Sequence, residues 1–188
     1  MPLPNGMNCA GSPPSVAGGK LKISNVPIGP TALASIGTNT TDAVNYFMTD
    51  IWIPVNRFIT KVGVLQGGTA GTDSILAAIY TSAGVLIGSS ALAGTALNSS
   101  ANTFLELTLT LDGAGVAVPG IQLYGPAQYY IGIQGNGTAA GAIQTIKTAT
   151  YIDVCANTVT ATPFGTLPAT VTVPVAFVAD KGPVVYVY

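Results

Sequence analysis

The sequence contains no histidine, and charged residues occupy only 7% of its 188 positions. Histidine has the side-chain pKa nearest neutrality, so it serves most proton-transfer sites and many metal sites. Its absence removes the serine–histidine and cysteine–histidine nucleophile pairs, together with the commonest metal ligand. The composition therefore favours a structural protein over an enzyme, and we expect no catalytic residue, cofactor or metal.

Low charge is combined with a high apolar content. The formal net charge is -1 and hydrophobic residues reach 48%, whereas a soluble monomer ordinarily keeps about a quarter of its residues charged. Either Thr, Ser and Asn hold the surface in solution, or other chains cover much of that surface. The apolar fraction favours the second interpretation and predicts a homo-oligomer.

Two partner classes are not expected. A membrane-spanning helix needs about 20 consecutive apolar residues, and every apolar run here is soon interrupted by Gly, Pro, Thr or Ser. Nucleic-acid binding requires a basic stripe, but the basic residues are scattered. They are Lys20, Lys22, Arg57, Lys61, Lys147 and Lys181.

The two cysteines, Cys9 and Cys155, are far apart and form no CxxC motif. We interpret them as independent thiols, with Cys155 acting as a small apolar residue in a strand. A disulfide that ties the N-terminal segment to the body is the alternative, and it would require an oxidising compartment.

Residues 1–22 are predicted to form an extended arm that precedes one domain at residues 23–188. Four prolines in the first 14 residues disfavour both helix and central strand. Disorder is the alternative, but an arm with isolated apolar anchors can become ordered on a neighbouring subunit. The candidates for partner contact in this arm are Leu3, Met7, Val16, Lys20 and Lys22.

The rest of the chain has the composition of β-structure, because β-branched and aromatic residues alternate with regularly spaced turn formers. No window has a helical stripe, and the nearest candidate, 33–45, is rich in Gly and Thr. We predict an antiparallel β-sandwich of jelly-roll type with about eight to ten strands. The strands are predicted at 48–54, 58–66, 74–81, 85–89, 103–111, 128–134, 142–147, 171–177 and 183–188.

The segment 103–111 alternates most clearly. Leu105, Leu107 and Leu109 fall on one side and Glu106 on the other, as a half-buried strand requires. We therefore expect Glu106 to be solvated. A glycan hydrolase would need two carboxylates beside a cleft, and the number and positions of the acids disfavour it. Hydrolysis that disappears when Glu106 or Asp153 is neutralised would support it.

Calcium is the better alternative among carboxylate chemistries, because it prefers oxygen ligands. Asp73 and Asp112 follow or precede Gly-rich loops, although no DxDxDG motif is present. Most of the acids lie beside turn formers, where Asp usually caps a turn.

Aromatic residues either fill the core or form a binding platform. We expect Trp52, Tyr129 and Tyr130 to be core residues, as alternating strand aromatics usually are. Tyr186 and Tyr188 share one face, and we expect burial against the opposite sheet or a sister subunit. Both are candidates for partner contact.

Several segments resemble small jelly-roll proteins of tailed bacteriophage virions. They are FITKVGVLQGGTAGTDSILAAIYTSAGVLIGSSALAGT, ANTFLELTLT, AQYYIGIQGNGT, FGTLPAT and VAFVADKGPVVYVY, within residues 46–188. The resemblance implies a non-enzymatic virion part, such as a head decoration (cement) protein. Its implied partners are the major capsid protein and its own copies, which the resemblance implies form a trimer. Its implied location is the outer surface of the phage head, after synthesis in the host cytoplasm.

The same strand patterns are also similar to those of carbohydrate-binding and adhesion β-sandwiches. This alternative, on a phage tail or fibre, predicts an exposed aromatic side chain flanked by amide or carboxylate groups. Exposure of Trp52 or Tyr130 would favour it.

Overall fold

The structure, a computed structural model, describes residues 22–25, 36–68, 73–98, 102–137, 141–147, 154–160 and 162–188. This part of the chain contains no helix and fourteen strands, more than predicted because several are only two or three residues long. The strands are β1 (Ile23–Ser24), β2 (Ile36–Thr40), β3 (Asn45–Ile53), β4 (Arg57–Ile59), β5 (Lys61–Leu65), β6 (Ser74–Thr81), β7 (Leu86–Ser90), β8 (Thr95–Ala96), β9 (Phe104–Asp112), β10 (Ile121–Leu123), β11 (Ala127–Gly135), β12 (Ala142–Ile146), β13 (Ala156–Thr160) and β14 (Val185–Val187).

Ten strands form one antiparallel sheet with the order β1-β14-β5-β9-β7-β6-β11-β3-β13, in which β8 also pairs with β6. Two further pairs, β10–β4 and β12–β2, lie outside it. The sheet curls at β9, whose first half pairs with β5 and whose second half pairs with β7. The predicted all-β sandwich is thereby confirmed, while the jelly-roll connectivity stays a prediction.

The main core lies between the two halves of the curled sheet. Leu107 and Leu109 of β9 are fully buried in it, as the alternation of this segment predicts. Ile131 and Ile133 of β11 and Val185 of β14 reach the same cluster from the two halves. Burial of an aliphatic side chain of this size contributes about 1.5–3 kcal/mol.

The segment 171–177 was predicted to be a strand, and this is wrong. It forms no ladder but lies across the outer face of the β6–β11–β3 half, where the Tyr130 hydroxyl donates to the Pro174 carbonyl at 3.0 Å. Val171 and Val173 pack on the tyrosines of that face. Pro174 has no N–H for a ladder, so the apolar residues serve as a cover instead.

The predicted strand 58–66 is divided at Thr60. Its first part, β4, pairs with β10, whereas β5 joins the main sheet between β14 and β9. The Thr60 N–H donates to the Tyr188 carbonyl at 2.8 Å, and the Thr60 carbonyl accepts from Leu109 at 2.9 Å. Those bonds hold the chain where it changes partner strands.

The remaining predicted strands correspond to described strands with shifts of a few residues at their ends, and the hairpin at 82–84 joins β6 to β7. The rejection of a helix over 33–45 is confirmed where the structure describes it, since β2 occupies residues 36–40. Most of the predicted arm lies outside the described residues, as does Cys9. The arm candidates there are Leu3, Met7, Val16 and Lys20.

Candidate functional site

Glu106 lies at the centre of a polar and aromatic cluster on the outer face of β9. Its Cα partner on β5 is Gly63, whose partner on β14 is Tyr186, so these residues form one row across three strands. Since Gly63 has no side chain, the Tyr186 ring lies across the intervening strand. Its hydroxyl thereby reaches Glu106 Oε1 at 2.8 Å.

Three more side chains converge on the same carboxylate. Lys61 Nζ donates to Glu106 Oε2 at 2.8 Å, and the Tyr188 hydroxyl donates to Oε2 at 2.6 Å. Lys22 Nζ lies 3.7 Å from Oε1 and donates to the Tyr186 hydroxyl at 2.9 Å. We call Lys22, Lys61, Glu106, Tyr186 and Tyr188 the Glu106 cluster.

Lys22 reaches the cluster because β1 is fixed at the sheet edge. The Asn25 amide donates to the Pro183 carbonyl at 2.8 Å, and its Oδ1 accepts from Val185 at 3.0 Å. Lys22 Nζ then stands 4.1 Å above the centroid of the Tyr186 ring, a cation–π distance. The predicted arm therefore joins the domain at this cluster.

Tyr186 and Tyr188 share one face, as predicted, with ring centroids 5.9 Å apart. Tyr186 is only 1% exposed, whereas Tyr188 is half-buried. The described contacts of the Tyr186 ring are with residues of its own sheet and with Lys22, including Phe104 at 4.6 Å between centroids. The expected burial against the opposite sheet is therefore wrong for Tyr186. The structure thus brings together Lys22, Tyr186 and Tyr188, three of the predicted contact residues, and their contact with a partner stays a prediction.

The cluster holds Glu106 ionised. Hydrogen bonds from Lys61 and Tyr188 lower the pKa of the Glu106 carboxyl to about 2, against an ordinary 4.5. The same carboxylate raises the pKa of Lys61 well above its ordinary range. A general acid requires a raised carboxyl pKa, so the lowered pKa of Glu106 argues against that one role for it. The Glu106 side chain is one-third exposed, so it is only partly solvated, and its hydrogen-bond partners were not predicted. Asp153 lies outside the described residues.

A pocket of about 300 Å³ adjoins the cluster. Tyr188 belongs to both, and strands β1, β4 and β14 supply most of the remaining wall. The lining residues are Ile23, Arg57, Phe58, Ile59, Thr60, Val187 and Tyr188.

Beyond the pocket, one end of the molecule carries exposed aromatic side chains. Trp52, Phe58 and Tyr124 are 58%, 53% and 66% exposed, and Val55 is 55% exposed. Two contacts join their segments: Leu123 pairs with Arg57, and the Gly125 N–H donates to Asn56 at 3.0 Å. We call Trp52, Val55, Phe58 and Tyr124 the aromatic end.

The expectation that Trp52 is a core residue is wrong, whereas Tyr129 and Tyr130 are buried as predicted. Trp52 lies on the outer face near the end of β3, beyond the region where Pro174 contacts Tyr130. Sequence reasoning did not select Phe58 or Tyr124. Their position beside the turn residues at 54–56 and 125–126 could have indicated that these two side chains are exposed.

Both calcium candidates accept hydrogen bonds from backbone N–H groups. Asp112 Oδ1 accepts hydrogen bonds from Ala114 at 2.9 Å and Val116 at 2.8 Å, which makes it a turn cap. Asp73 is fully buried and accepts from Gly141 at 3.0 Å. In the described residues, no three His, Cys, Asp or Glu residues are grouped to hold a metal ion.

Replacing Asp112 with alanine is therefore expected to lower the free energy of unfolding by about 1 kcal/mol, through loss of the turn hydrogen bonds. Denaturant unfolding with added calcium and with a chelator measures this. The loss should be equal in both solutions. A stabilisation of the wild-type protein by calcium that disappears in Asp112→Ala would instead support a calcium site.

No family model, curated protein or solved structure matches this chain. Among the described residues, no helix has the length and apolarity needed to cross a bilayer.

Proposed function

We propose that this protein is a structural component of a tailed-phage virion, most specifically a decoration protein that binds the outer head shell. It acts without enzymatic activity, as a homo-oligomer, and its partner is the major capsid protein. The resemblance of residues 46–188 to virion jelly rolls supports the assignment to a particle.

One observation carries the binding role. All three exposed aromatic residues in the described part of the chain, Trp52, Phe58 and Tyr124, lie on segments that meet at one end of the molecule. Tryptophan, tyrosine and arginine are enriched at the energetic centres of protein interfaces, and Arg57 lies at the same end. Few charges oppose close contact, and many linked contacts on a shell raise the effective concentration.

The test uses particles made by the genome that encodes this chain. Quantitative mass spectrometry of purified heads should find the chain in stoichiometric ratio to the major capsid protein, and electron microscopy should place it outside the shell. A chain without residues 1–19, which keeps Lys22, should show reduced occupancy if the arm contacts a neighbour. Absence of the full-length chain from heads would reject the proposal.

A carbohydrate-binding role is the second candidate, and the exposure of Trp52 favours it. Gln128 is the Cα partner of Trp52, and its amide donates to Asp50 Oδ2 at 2.6 Å. Asp50 Oδ1 accepts from the Cys155 N–H at 2.9 Å. The exposed Trp52 ring beside the hydrogen-bonded Gln128 amide is the arrangement that carbohydrate binding requires. Tyr130 is buried, so it offers no second ring for stacking on a sugar.

Glycan-array binding and calorimetry of Trp52→Ala test this candidate. If Trp52 stacks on a sugar, its loss should weaken binding by about tenfold, or ~1.4 kcal/mol. Val175→Ala, at a highly exposed apolar position on the covering segment, is the matched control and should bind normally. A wild-type protein that binds no glycan rejects this role.

A further inference from the structure

Arg57 is a cation without an acidic partner in the described part of the chain. Both ion pairs found there converge on Glu106, from Lys22 and Lys61. The Nε atom of Arg57 is buried and has no hydrogen-bond partner among the described residues. Arg57 is only partly buried and lines the pocket, so an anion that enters the pocket meets a positive charge that no described acid compensates.

The chemistry of the pocket beside Arg57 limits which anion fits. Its other walls are aliphatic or aromatic apart from Thr60, and Phe58 stands exposed at the rim. One guanidinium group matches a carboxylate monoanion through two parallel hydrogen bonds. A phosphate dianion would retain uncompensated charge against Ile23 and Val187. A volume of about 300 Å³ lies at the lower end of the range for ligand sites.

We propose that this pocket captures a carboxylate side chain of a partner polypeptide, with Arg57 as its ion-pair partner and the apolar walls receiving the flanking aliphatic residues. The inference rests on the proposed function, because it names how the partner is recognised. The surrounding surface favours a polypeptide over a free acid, since the aromatic end extends the apolar area beyond what a small acid covers.

Arg57 is held at this place by the fold. In β4 the side chains alternate, so Arg57 falls on the same side as the buried Ile59, while Phe58 points outward. Its cross-strand partner is the buried Leu123. Arg57 is thus partly buried beside apolar residues of β4 and β10, and partial burial restricts its side-chain rotamers, which lowers the entropic cost of binding.

The probes are two capped tripeptides, valine–glutamate–valine and valine–glutamine–valine, titrated into the isotope-labelled full chain and followed by NMR. The glutamate peptide should shift the amide signals of residues 57–60 and 187–188 and bind at least about tenfold more tightly than the glutamine peptide. Arg57→Gln should bind both peptides equally weakly. Arg57→Lys should fall between, because lysine keeps the charge but loses the planar fork.

Signals of core residues such as Ile131 report whether each variant is folded. If Arg57→Gln fails to fold, the comparison of the two peptides on the wild-type protein, together with Arg57→Lys, still decides the question. Equal affinity for both peptides, or shifts that avoid the pocket residues, would overturn the proposal. Butanoate is the free-acid probe, and if it binds as tightly as the glutamate peptide, recognition of a polypeptide is wrong.

Particle occupancy separates this inference from the proposed function. Arg57→Gln should lower occupancy on heads by at least about tenfold, whereas Val175→Ala should not. If the wild-type chain is absent from heads, the proposed function fails and the peptide titration still decides the pocket. If Arg57→Gln loses peptide binding but occupies heads normally, the pocket is not the partner contact and the inference is overturned.

Discussion

Replacing Glu106 with glutamine is expected to lower the free energy of unfolding at neutral pH by about 2 kcal/mol. The carboxylate accepts hydrogen bonds from Lys61, Tyr186 and Tyr188. An amide offers one acceptor oxygen, and it places an NH2 group against a donor while leaving the Lys61 charge without its partner. The carboxylate is one-third exposed, so solvent screening keeps the expected loss well below the value for a buried ion pair.

Urea unfolding of the variant and the wild-type protein measures the difference. Thr108→Ser, on the same face of β9 but at an exposed position, is the control and should change the free energy of unfolding by no more than about 0.5 kcal/mol. A loss for Glu106→Gln no greater than that of the control would show that the cluster does not contribute to stability.

The same cluster predicts a pH dependence. The pKa of Glu106 is about 2 in the folded protein and lies near 4.5 without these partners. A lowered folded-state pKa contributes stability that is fully present above about pH 4.5 and is lost as the pH falls towards 2. The wild-type protein should therefore lose more stability than Glu106→Gln over this interval, and the two curves should converge. Parallel curves would contradict the assigned pKa.

The alternation of apolar and polar residues was sufficient to predict burial where the face of a single strand determines it. Leu107 and Leu109 are core residues because a period of two places them on one face, whichever strands lie alongside. The partners of Glu106 could not be found in this way. Lys61 is 45 residues away and Tyr188 is 82 residues away, and only the strand order β14-β5-β9 brings them together.

Two further differences between the sequence predictions and the structure have a similar physical origin. Residues 171–177 have the β-branched content of a strand, but the same apolar side chains can cover a sheet face, and Pro174 is the only local sign of this. Trp52 follows the alternation of β3, with its side chain on the same face as Met48. Met48 is buried and Trp52 is exposed. The exposure of each residue depends on whether the covering segment 171–177 reaches it, and the sequence of β3 alone does not indicate that.

Gly63 gives the sharpest test of the row across β14, β5 and β9. A Cβ atom on Gly63 would lie under 3.0 Å from three atoms of the Tyr186 ring, closer than real Cβ contacts allow. The Tyr186 ring is buried and its hydroxyl is hydrogen-bonded to Glu106, so a Cβ atom on Gly63 must displace the ring from this position. Gly63→Ala should therefore lower the free energy of unfolding by about 2–3 kcal/mol, at the upper end of overpacking effects.

Gly68→Ala is the matched control, because no heavy atom lies within 4 Å of a Cβ placed there. It should remain within about 0.5 kcal/mol of the wild-type protein in the same urea titration. If Gly63 acts by displacing Tyr186 from Glu106, the double variant Gly63→Ala with Glu106→Gln should lose less than the sum of the single losses, since both remove one shared hydrogen bond. Strict additivity would mean that the overpacking is relieved elsewhere. In that case the missing side chain of Gly63 is not what allows Tyr186 to reach the carboxylate.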